Sequence, residues 1–175
     1  RRLLDGVENL IDLTALDEQG PCLTAVDLSD LLGESIANAR ITAMARSVTI
    51  VRDPPFDSPR AFGDQWAVRR IIDNLLQNAV KFSPIGGRIR ARILPLGMDV
   101  GLEIADDGCG MRPETITRIG QPLAGTGPRG RHDADGLGIG LALAVKLTRL
   151  TGGDLDFMSE PGRGTVARLT LPIAE

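Results

Sequence analysis

Aromatic residues are scarce in this chain, whose 175 residues include no tyrosine, one tryptophan and four phenylalanines. Such a composition argues against a surface on which nucleic-acid bases stack. The net charge of -3 gives no reason to expect nucleic acid or an anionic membrane surface as a partner either. The composition and the charge therefore argue against a nucleic-acid-binding protein.

Cysteines and long apolar runs are also few. Cys22 and Cys109 are the only cysteines, and two thiols so far apart form neither a disulfide framework nor a zinc site, so we expect reduced thiols in a cytoplasmic domain. No apolar run approaches the ~18 residues of a membrane span, and no signal peptide is found. The chain begins without Met and already in a helical pattern, which predicts a fragment of a longer protein. A membrane anchor in the preceding part stays open.

Three segments are predicted along the chain. Leu3, Val7 and Leu10 belong to an apolar stripe at helical spacing, which predicts an amphipathic helix over residues 1–18 that ends at Gly20-Pro21. The stripe fits a seam between two helices or an ordinary surface helix. We expect residues 1–20 to belong to that helical unit, residues 21–26 to be a linker, and residues 27–175 to form a second domain.

Local patterns in the second domain predict a mixed α/β layer. Asp27 and Asp64 are predicted N-caps of two helices, the first ending near Ala45. Residues 113–119 predict a short helix, and "IGLALAVKLTRLT" predicts a further helix that is closed by glycines. Strands or hairpins are predicted for "SVTIV", "RIRARIL" with "DVGLEIAD", and "DLDFMSE" with "TVARLTLP". "RDPPFDSPRAFG" is predicted to be a loop, and "GQPLAGTGPRGRHDADGLG" a long irregular segment of the kind that forms lids.

The helix that begins after Asp64 carries an unusual polar stripe. Asn74, Asn78 and Lys81 are spaced i, i+4 and i+7, at the border of a broad apolar arc. A neutral amide oxygen suits a hard cation such as Mg²⁺, and the ammonium of a lysine suits a phosphate. On this helix alone, solvated surface residues would explain the stripe equally well.

Two glycine-rich segments add to this pattern. "DDGCG" follows an apolar strand, so Asp106 could accept a hydrogen bond from an exocyclic amine while Gly108 and Gly110 permit close approach of a flat ring. "GLGIG" at residues 136–140 opens a helix, where backbone N–H groups favour a phosphate. Each segment alone is a weak signal, and the GxxxxGK[ST] phosphate loop is absent.

Taken in order, the four segments "NLLQNAVKFS", "DDGCGM", "GLGIGLALA" and "GRGT" resemble the N, G1, G2 and G3 boxes of the ATP-binding catalytic domain of sensor histidine kinases. The resemblance covers about residues 27–175, and residues 1–18 resemble the second helix of the dimerisation and phosphoacceptor domain that precedes it. It implies an α+β fold, the GHKL or Bergerat fold. In this fold a mixed, mainly antiparallel sheet is covered on one face by about three helices, and a long lid closes over ATP.

The resemblance also implies a role for each matching residue. Asn78 would hold Mg²⁺, Asn74 and Lys81 would act on the phosphate side as catalytic residues, and Asp106 would bind the adenine amino group. Arg129 and Arg131 of the lid would reach the γ-phosphate or remain solvated. The other residues implied to contact ATP are Phe82, Gly108, Gly110, Met111, Gly136, Gly138, Gly140, Leu141 and Thr165.

Three departures from the family pattern carry information. Asn74 stands where related hydrolases usually have glutamate, and an amide cannot act as a general base, so efficient ATP hydrolysis is not expected. Leu123 replaces the phenylalanine of the so-called F box, which predicts weaker anchoring of the lid. His132, the one histidine, lies in the lid segment and is not expected to be the phosphoacceptor.

The resemblance therefore implies a kinase that binds Mg-ATP and transfers the γ-phosphate to a histidine upstream of this chain, for relay to an aspartate of a response regulator. It implies the dimerisation domain, the regulator's receiver domain and a second copy of the full-length protein as partners. The alternative is a pseudokinase or scaffold that signals by docking. A serine kinase of the same fold and an ATP hydrolase are disfavoured, the first by residues 1–18 and the second by Asn74.

Overall fold

The computed structural model describes residues 20–54, 60–119 and 139–174, and they form a sheet with a layer of helices. The helices are α1 (Leu28–Ala45), α2 (Gln65–Phe82), α3 (Pro113–Ile116) and α4 (Ile139–Leu150). The strands are β1 (Leu23–Val26), β2 (Thr49–Arg52), β3 (Ala61–Asp64), β4 (Arg88–Leu96), β5 (Asp99–Asp106), β6 (Asp154–Ser159) and β7 (Thr165–Pro172).

Both predicted N-caps are confirmed. The carboxylate of Asp27 accepts hydrogen bonds from the backbone N–H groups of Ser29 and Asp30 at 2.9 and 3.0 Å. The carboxylate of Asp64 accepts one from Ala67 at 2.9 Å. Each aspartate satisfies N–H groups that a helix leaves without a partner in its first turn, and this is why α1 and α2 begin where the sequence indicates.

The predicted mixed, mainly antiparallel sheet is also confirmed. Its five strands lie in the order β2-β4-β5-β7-β6. Strand β2 is parallel to β4, and the other three pairings are antiparallel. The two hairpins predicted from alternating residues are β4–β5 and β6–β7, with Gly97 and Gly162 at positive φ in their turns.

The core lies between the sheet and the helices. Helix α2 is the central helix, packed against α1 on one side and α4 on the other. Its predicted apolar arc, including Val68, Ile71 and Leu76, is completely buried, as are Leu102 and Leu169 of the sheet. Since full burial of such a side chain contributes about 1.5–3 kcal/mol, this arc holds α2 and its polar border firmly against the sheet.

A second, two-stranded sheet was not predicted. Strand β1 pairs antiparallel with β3, for example Ala25 with Phe62. Residues 61–63 fall in the expected loop "RDPPFDSPRAFG", so the prediction of loop was wrong for these three residues. Residues 23–26 fall in the expected linker, and these last four linker residues form a paired strand. Four-residue strands are too short to show a period of two, and Gly63 disfavours a strand, so only pairing between distant segments creates them.

Several predictions concern residues outside the described ranges. They include the helix over residues 1–18 and the whole of the long irregular segment at residues 120–138, with Leu123, Arg129, Arg131 and His132. Among the described helices, none is long and apolar enough to cross a membrane. The predicted short helix after residue 112 is present over Pro113–Ile116.

Candidate nucleotide-binding site

The two asparagines of α2 lie on one side of the helix, as predicted. The Nδ2 group of Asn78 donates to the backbone oxygen of Asn74 at 2.9 Å, and that of Asn74 donates to the backbone oxygen of Arg70 at the same distance. These bonds orient both amides so that each side-chain Oδ1 stays available as an acceptor. Asn78 is half-buried, whereas Asn74 is only 7% exposed and lies deeper than the cleft border expected for it.

The start of α4 lies against this asparagine pair. A Cβ atom at Gly140 would lie 2.7 Å from Oδ1 of Asn74, which is too close for a side chain. Gly140 and Leu141 are both half-buried here. The absence of a side chain at residue 140 thus lets the N-terminal end of α4 approach the amide oxygen of Asn74.

Lys81 and Phe82 lie at the C-terminal end of α2. The Nζ atom of Lys81 lies 4.7 Å from the ring centroid of Phe82, a cation–π arrangement. Phe82 is 40% exposed, so part of this residue is accessible to a ligand. The backbone oxygen of Lys81 accepts a hydrogen bond from the Arg46 guanidinium at 2.9 Å, a bond from the end of α1 that the sequence did not indicate.

Asp106 ends β5 beside these residues. Its Oδ1 accepts a hydrogen bond from the backbone N–H of Gly108 at 2.8 Å. A Cβ at Gly108 would collide with this carboxylate and would lie 2.8 Å from the backbone oxygen of Phe82. The G1 segment therefore packs directly on the end of α2, and it does so because residue 108 is glycine.

Burial raises the pKa of Asp106 above its ordinary value, and the negative charge of Asp107 acts in the same direction. The backbone N–H groups of Gly108 and Thr165 oppose this shift by hydrogen bonding to the carboxylate. A half-buried carboxylate with an upward-shifted pKa is typical of functional sites, where a ligand replaces the lost water.

Ser159 joins the two glycine-rich turns, and sequence reasoning missed it. Its Oγ accepts from the backbone N–H of Met111 at 2.8 Å, donates to the backbone oxygen of Gly164 at 2.9 Å, and lies 2.9 Å from Oγ1 of Thr165. This serine therefore positions both Met111 and Thr165. A serine at the end of a strand is common, so the sequence carried no distinguishing signal.

Glycines at positive φ hold these turns together. Gly110 and Gly164 have φ of 66° and 78°. A side chain at Gly110 would collide with the backbone oxygen of Glu160, and one at Gly164 with that of Asp106. The backbone oxygen of Cys109 accepts from the N–H of Gly162 at 2.7 Å. The thiol of Cys109 is free and exposed, which agrees with the reduced thiol expected from the sequence.

The site thus assembles most of the sequence-predicted residues along one side of α2 and the facing ends of β5, β7 and α4. Gly136 and Gly138, together with Arg129 and Arg131, lie outside the described residues. Within the described ranges, no cluster of three or more His, Cys, Asp or Glu side chains could hold a metal ion. A cation here would take oxygen ligands from amides, from water and from the phosphates of a nucleotide, since Mg²⁺ usually keeps several waters and binds substrate phosphates beside few protein groups.

Comparisons with known proteins identify the family of the chain. Residues 63–175 match the family described as histidine kinase-, DNA gyrase B-, and HSP90-like ATPase. The chain is 33% identical over 149 residues to the adaptive-response sensory kinase SasA of Synechococcus sp. (strain CC9311), covering 85% of this chain and 39% of SasA. It is 30% identical over 174 residues to the sensor-like histidine kinase SenX3 of Mycobacterium tuberculosis (strain ATCC 25618 / H37Rv), covering 98% of this chain and 42% of SenX3.

A solved structure supports the same assignment. The crystal structure of full-length ShkA in complex with AMPPNP matches with a TM-score of 0.83 and 26% identity, over 98% of this chain and 36% of the ShkA chain. The chain spans less than half the length of each of these three proteins.

The fold and the site together define a GHKL-type ATP-binding domain. The chain belongs to the histidine kinase-, DNA gyrase B-, and HSP90-like ATPase family. Within that family it is the ATP-binding catalytic domain of a sensor histidine kinase, as the four sequence boxes predicted.

Proposed function

We propose that this domain binds Mg-ATP and presents its γ-phosphate to a histidine on a helical domain that precedes it in the intact protein. The phosphate would then pass to an aspartate of a response regulator, and the intact protein would act as a homodimer. The observation that carries the proposal is the pair of α2 amides, whose Nδ2 groups are tied back to the helix while the Oδ1 atoms stay available beside the start of α4. The kinase names of SasA and SenX3, and the AMPPNP bound to ShkA, support it.

The site residues divide the work of holding the nucleotide. Asn78 contributes an oxygen ligand to Mg²⁺, Asn74 orients the phosphate side, and Lys81 neutralises phosphate charge. Asp106 accepts a hydrogen bond from the adenine amino group, supported by the residues around Thr165. Phosphoryl transfer requires mainly positioning and charge neutralisation from a protein, so this set suffices without a covalent intermediate on the domain.

Asn74 separates this reaction from ATP hydrolysis. An amide cannot take a proton from water, and Asn74 is buried against α4 with its Nδ2 group already donating to the helix. The bound ATP is therefore kept for an acceptor other than water, namely the histidine of the preceding domain.

Calorimetric titration with ATP tests the nucleotide site. We expect the wild-type chain to bind ATP more tightly with Mg²⁺ than with excess chelator, and Asn78→Ala to lose this dependence on Mg²⁺. Gln77→Ala is the matched control, because Gln77 precedes Asn78 on the same helix and is exposed. No detectable binding at millimolar ATP would reject the proposal and favour the scaffold alternative.

Transfer of radiolabel from γ-labelled ATP tests the reaction itself. The chain should not label itself, because His132 is not the expected acceptor. Label should be incorporated when a helical phosphoacceptor domain, for example that of the Synechococcus relative, is supplied with its histidine intact, and not when that histidine is replaced by alanine. Labelling of the chain alone would contradict the assignment of the acceptor.

A further inference from the structure

Three polar side chains form one row across the end of the sheet. Asp106 of β5 pairs with Thr165 of β7, and Thr165 pairs in turn with Ser159 of β6. Because side chains alternate along a strand, all three lie on the face of the sheet on which Ile104 and Ala167 are buried, the face that carries the helices. The row therefore connects the carboxylate proposed to bind adenine with a serine that has no assigned role in nucleotide binding.

The hydroxyl of Ser159 has three polar neighbours but only one hydrogen. Its Oγ lies 2.8 Å from the backbone nitrogen of Met111, 2.9 Å from the backbone oxygen of Gly164 and 2.9 Å from Oγ1 of Thr165. A backbone N–H can only donate, and a backbone oxygen can only accept. All three contacts are hydrogen bonds only when Ser159 gives its hydrogen to Gly164, and Thr165 is then the donor in the third contact.

This arrangement fixes the direction of the Thr165 hydroxyl. Its hydrogen is directed at Ser159, so its Oγ1 offers a ligand lone pairs only. The backbone N–H of Thr165 is engaged as well, since it donates to the carboxylate of Asp106. An ionised carboxylate is also an acceptor only. The side chains of Asp106 and Thr165 thus present two acceptors and no donor to a base.

The bases of nucleotides differ in what they offer to two acceptors. The exocyclic amino group of adenine donates hydrogen bonds, whereas guanine carries a carbonyl oxygen at the same position of the ring. Hypoxanthine, the base of inosine triphosphate (ITP), carries the same carbonyl. This oxygen would face two acceptors with no hydrogen between them, and a site built for a donor strongly disfavours an analogue that lacks it.

We propose that Ser159 is a positioning residue for base selectivity. It holds the Thr165 hydroxyl as an acceptor, and the site therefore disfavours nucleotides whose base has a carbonyl in place of the adenine amino group. The inference rests on the proposed ATP site and adds to it the group that sets the polarity of one edge. Ser159 acts through Thr165, which lies between it and Asp106 in the row.

The ratio of the affinities for Mg-ATP and Mg-ITP, measured by calorimetry, tests this role. ITP differs from ATP only at this edge of the base, where the carbonyl replaces the amino group and the adjacent ring nitrogen carries a hydrogen. In Ser159→Ala the Thr165 hydroxyl can rotate and donate, so ATP should bind more weakly while ITP does not. The ratio should fall roughly three- to tenfold, the effect of one hydrogen bond. A loss of folded protein would weaken both nucleotides equally.

Two further variants separate positioning from a structural effect. Ser159→Thr keeps the hydroxyl on a residue that suits a strand, so it should retain the ratio of the wild type. Thr165→Val keeps the shape of residue 165 without its hydroxyl. In that background, Ser159→Ala should change the ratio no further, because the two residues act as one unit.

The outcomes distinguish this inference from the proposed function. If the wild type binds ATP and Ser159→Ala keeps the same ratio, the inference is overturned and the proposed function stands. Equal affinity of the wild type for ATP and ITP, or an equal fall in the ratio with and without the Thr165 hydroxyl, would overturn the inference as well. Absence of ATP binding by the wild type would reject both.

Discussion

At the scale of one residue, the carboxylate of Asp106 lowers the stability of the ligand-free domain at neutral pH but is proposed to bind the adenine amino group. Its carboxylate is half-buried, its pKa is raised by burial, and the N–H of Gly108 occupies part of its accepting capacity. Because the folded-state pKa lies above the unfolded value, the stabilisation from this group is present below the unfolded pKa and is lost as the pH rises through the folded pKa. At neutral pH the ionised carboxylate of Asp106 thus lowers the free energy of unfolding of the ligand-free domain.

Replacing Asp106 by Asn should separate these two effects. We expect ATP affinity to fall about tenfold or more, because a hydrogen bond to a charged group contributes about 1.5–3 kcal/mol. The free energy of unfolding of the ligand-free domain at neutral pH should not fall. Calorimetry and urea denaturation measure the two quantities, and Asp107→Asn, an exposed neighbour, is the control. Equal loss of affinity in both variants would contradict the assigned role.

The pH dependence of binding should follow the same carboxylate. As the pH falls through the raised pKa of Asp106, protonation removes an acceptor for the adenine amino group, so ATP affinity should decrease on acidification. Because the pKa is raised, this loss should begin at a higher pH than for an ordinary aspartate, whose pKa is 3.8. In Asp106→Asn this step should be absent. Persistence of the step in that variant would show that another group causes it.

At the scale of the element, the two N-cap residues differ in the backbone N–H groups from which they accept hydrogen bonds. Asp27 is exposed and bonds only to N–H groups of the first turn of its own helix, whereas Asp64 is buried and also accepts from Cys22, 42 residues away in the sequence. Strand β1 is therefore attached to α2 by a polar bond as well as by its pairing with β3.

We expect Asp64→Ala to destabilise the domain more than Asp27→Ala. Loss of a cap costs about 1 kcal/mol, and leaving the Cys22 N–H without its acceptor adds roughly another 1 kcal/mol or more. Urea denaturation of the two variants measures the difference. Equal losses would mean that the bond to Cys22 contributes little.

The elements that could be predicted from sequence are those with local signals. The helices are indicated by the caps Asp27 and Asp64 and by the helical period of the apolar arc around Ile71. The hairpins are indicated by the alternation of apolar and polar residues along their strands. Strands β1 and β3 have no such local signal, because they are stabilised by pairing across distant parts of the chain.

At the scale of the whole molecule, a cluster of three charged side chains links neighbouring strands of the sheet. Glu103 of β5 is 4% exposed and accepts hydrogen bonds from Arg92 of β4 at 2.6 Å and from Arg168 of β7 at 2.8 Å. Alternation along β5 predicts an exposed position for it, yet the two arginine side chains cover it. The three residues join the three central strands.

This group should determine how acid affects the fold. Burial raises the pKa of Glu103, but the hydrogen bonds and charges of Arg168 and Arg92 outweigh it, so the folded-state pKa lies below the ordinary value of 4.5. Its stabilising contribution is therefore present above the unfolded pKa and is lost as the pH falls below 4.5 through the folded pKa.

We expect Glu103→Gln to lower the free energy of unfolding at neutral pH and to flatten its decline at acidic pH. Glu160→Gln is the control, because Glu160 forms only an exposed pair with Arg163 at 3.1 Å. Urea denaturation at neutral pH and below pH 4.5 gives both values. If the free energy of unfolding of Glu103→Gln declined at acidic pH as steeply as that of the wild type, the decline would be due to other carboxylates.

The family, the helices and hairpins, and the set of residues proposed to hold the nucleotide could all be inferred from the amino-acid sequence, because capping residues, hydrophobic periods and glycine positions are local features of neighbouring residues. Four features became visible only in the folded chain: Asn74 is buried against Gly140, Ser159 joins Met111 to Thr165, Asp64 links the start of β1 to α2, and two arginines cover Glu103. Each of these depends on side chains that meet across distant segments, and the burial or hydrogen bonding that results has no local trace in the chain.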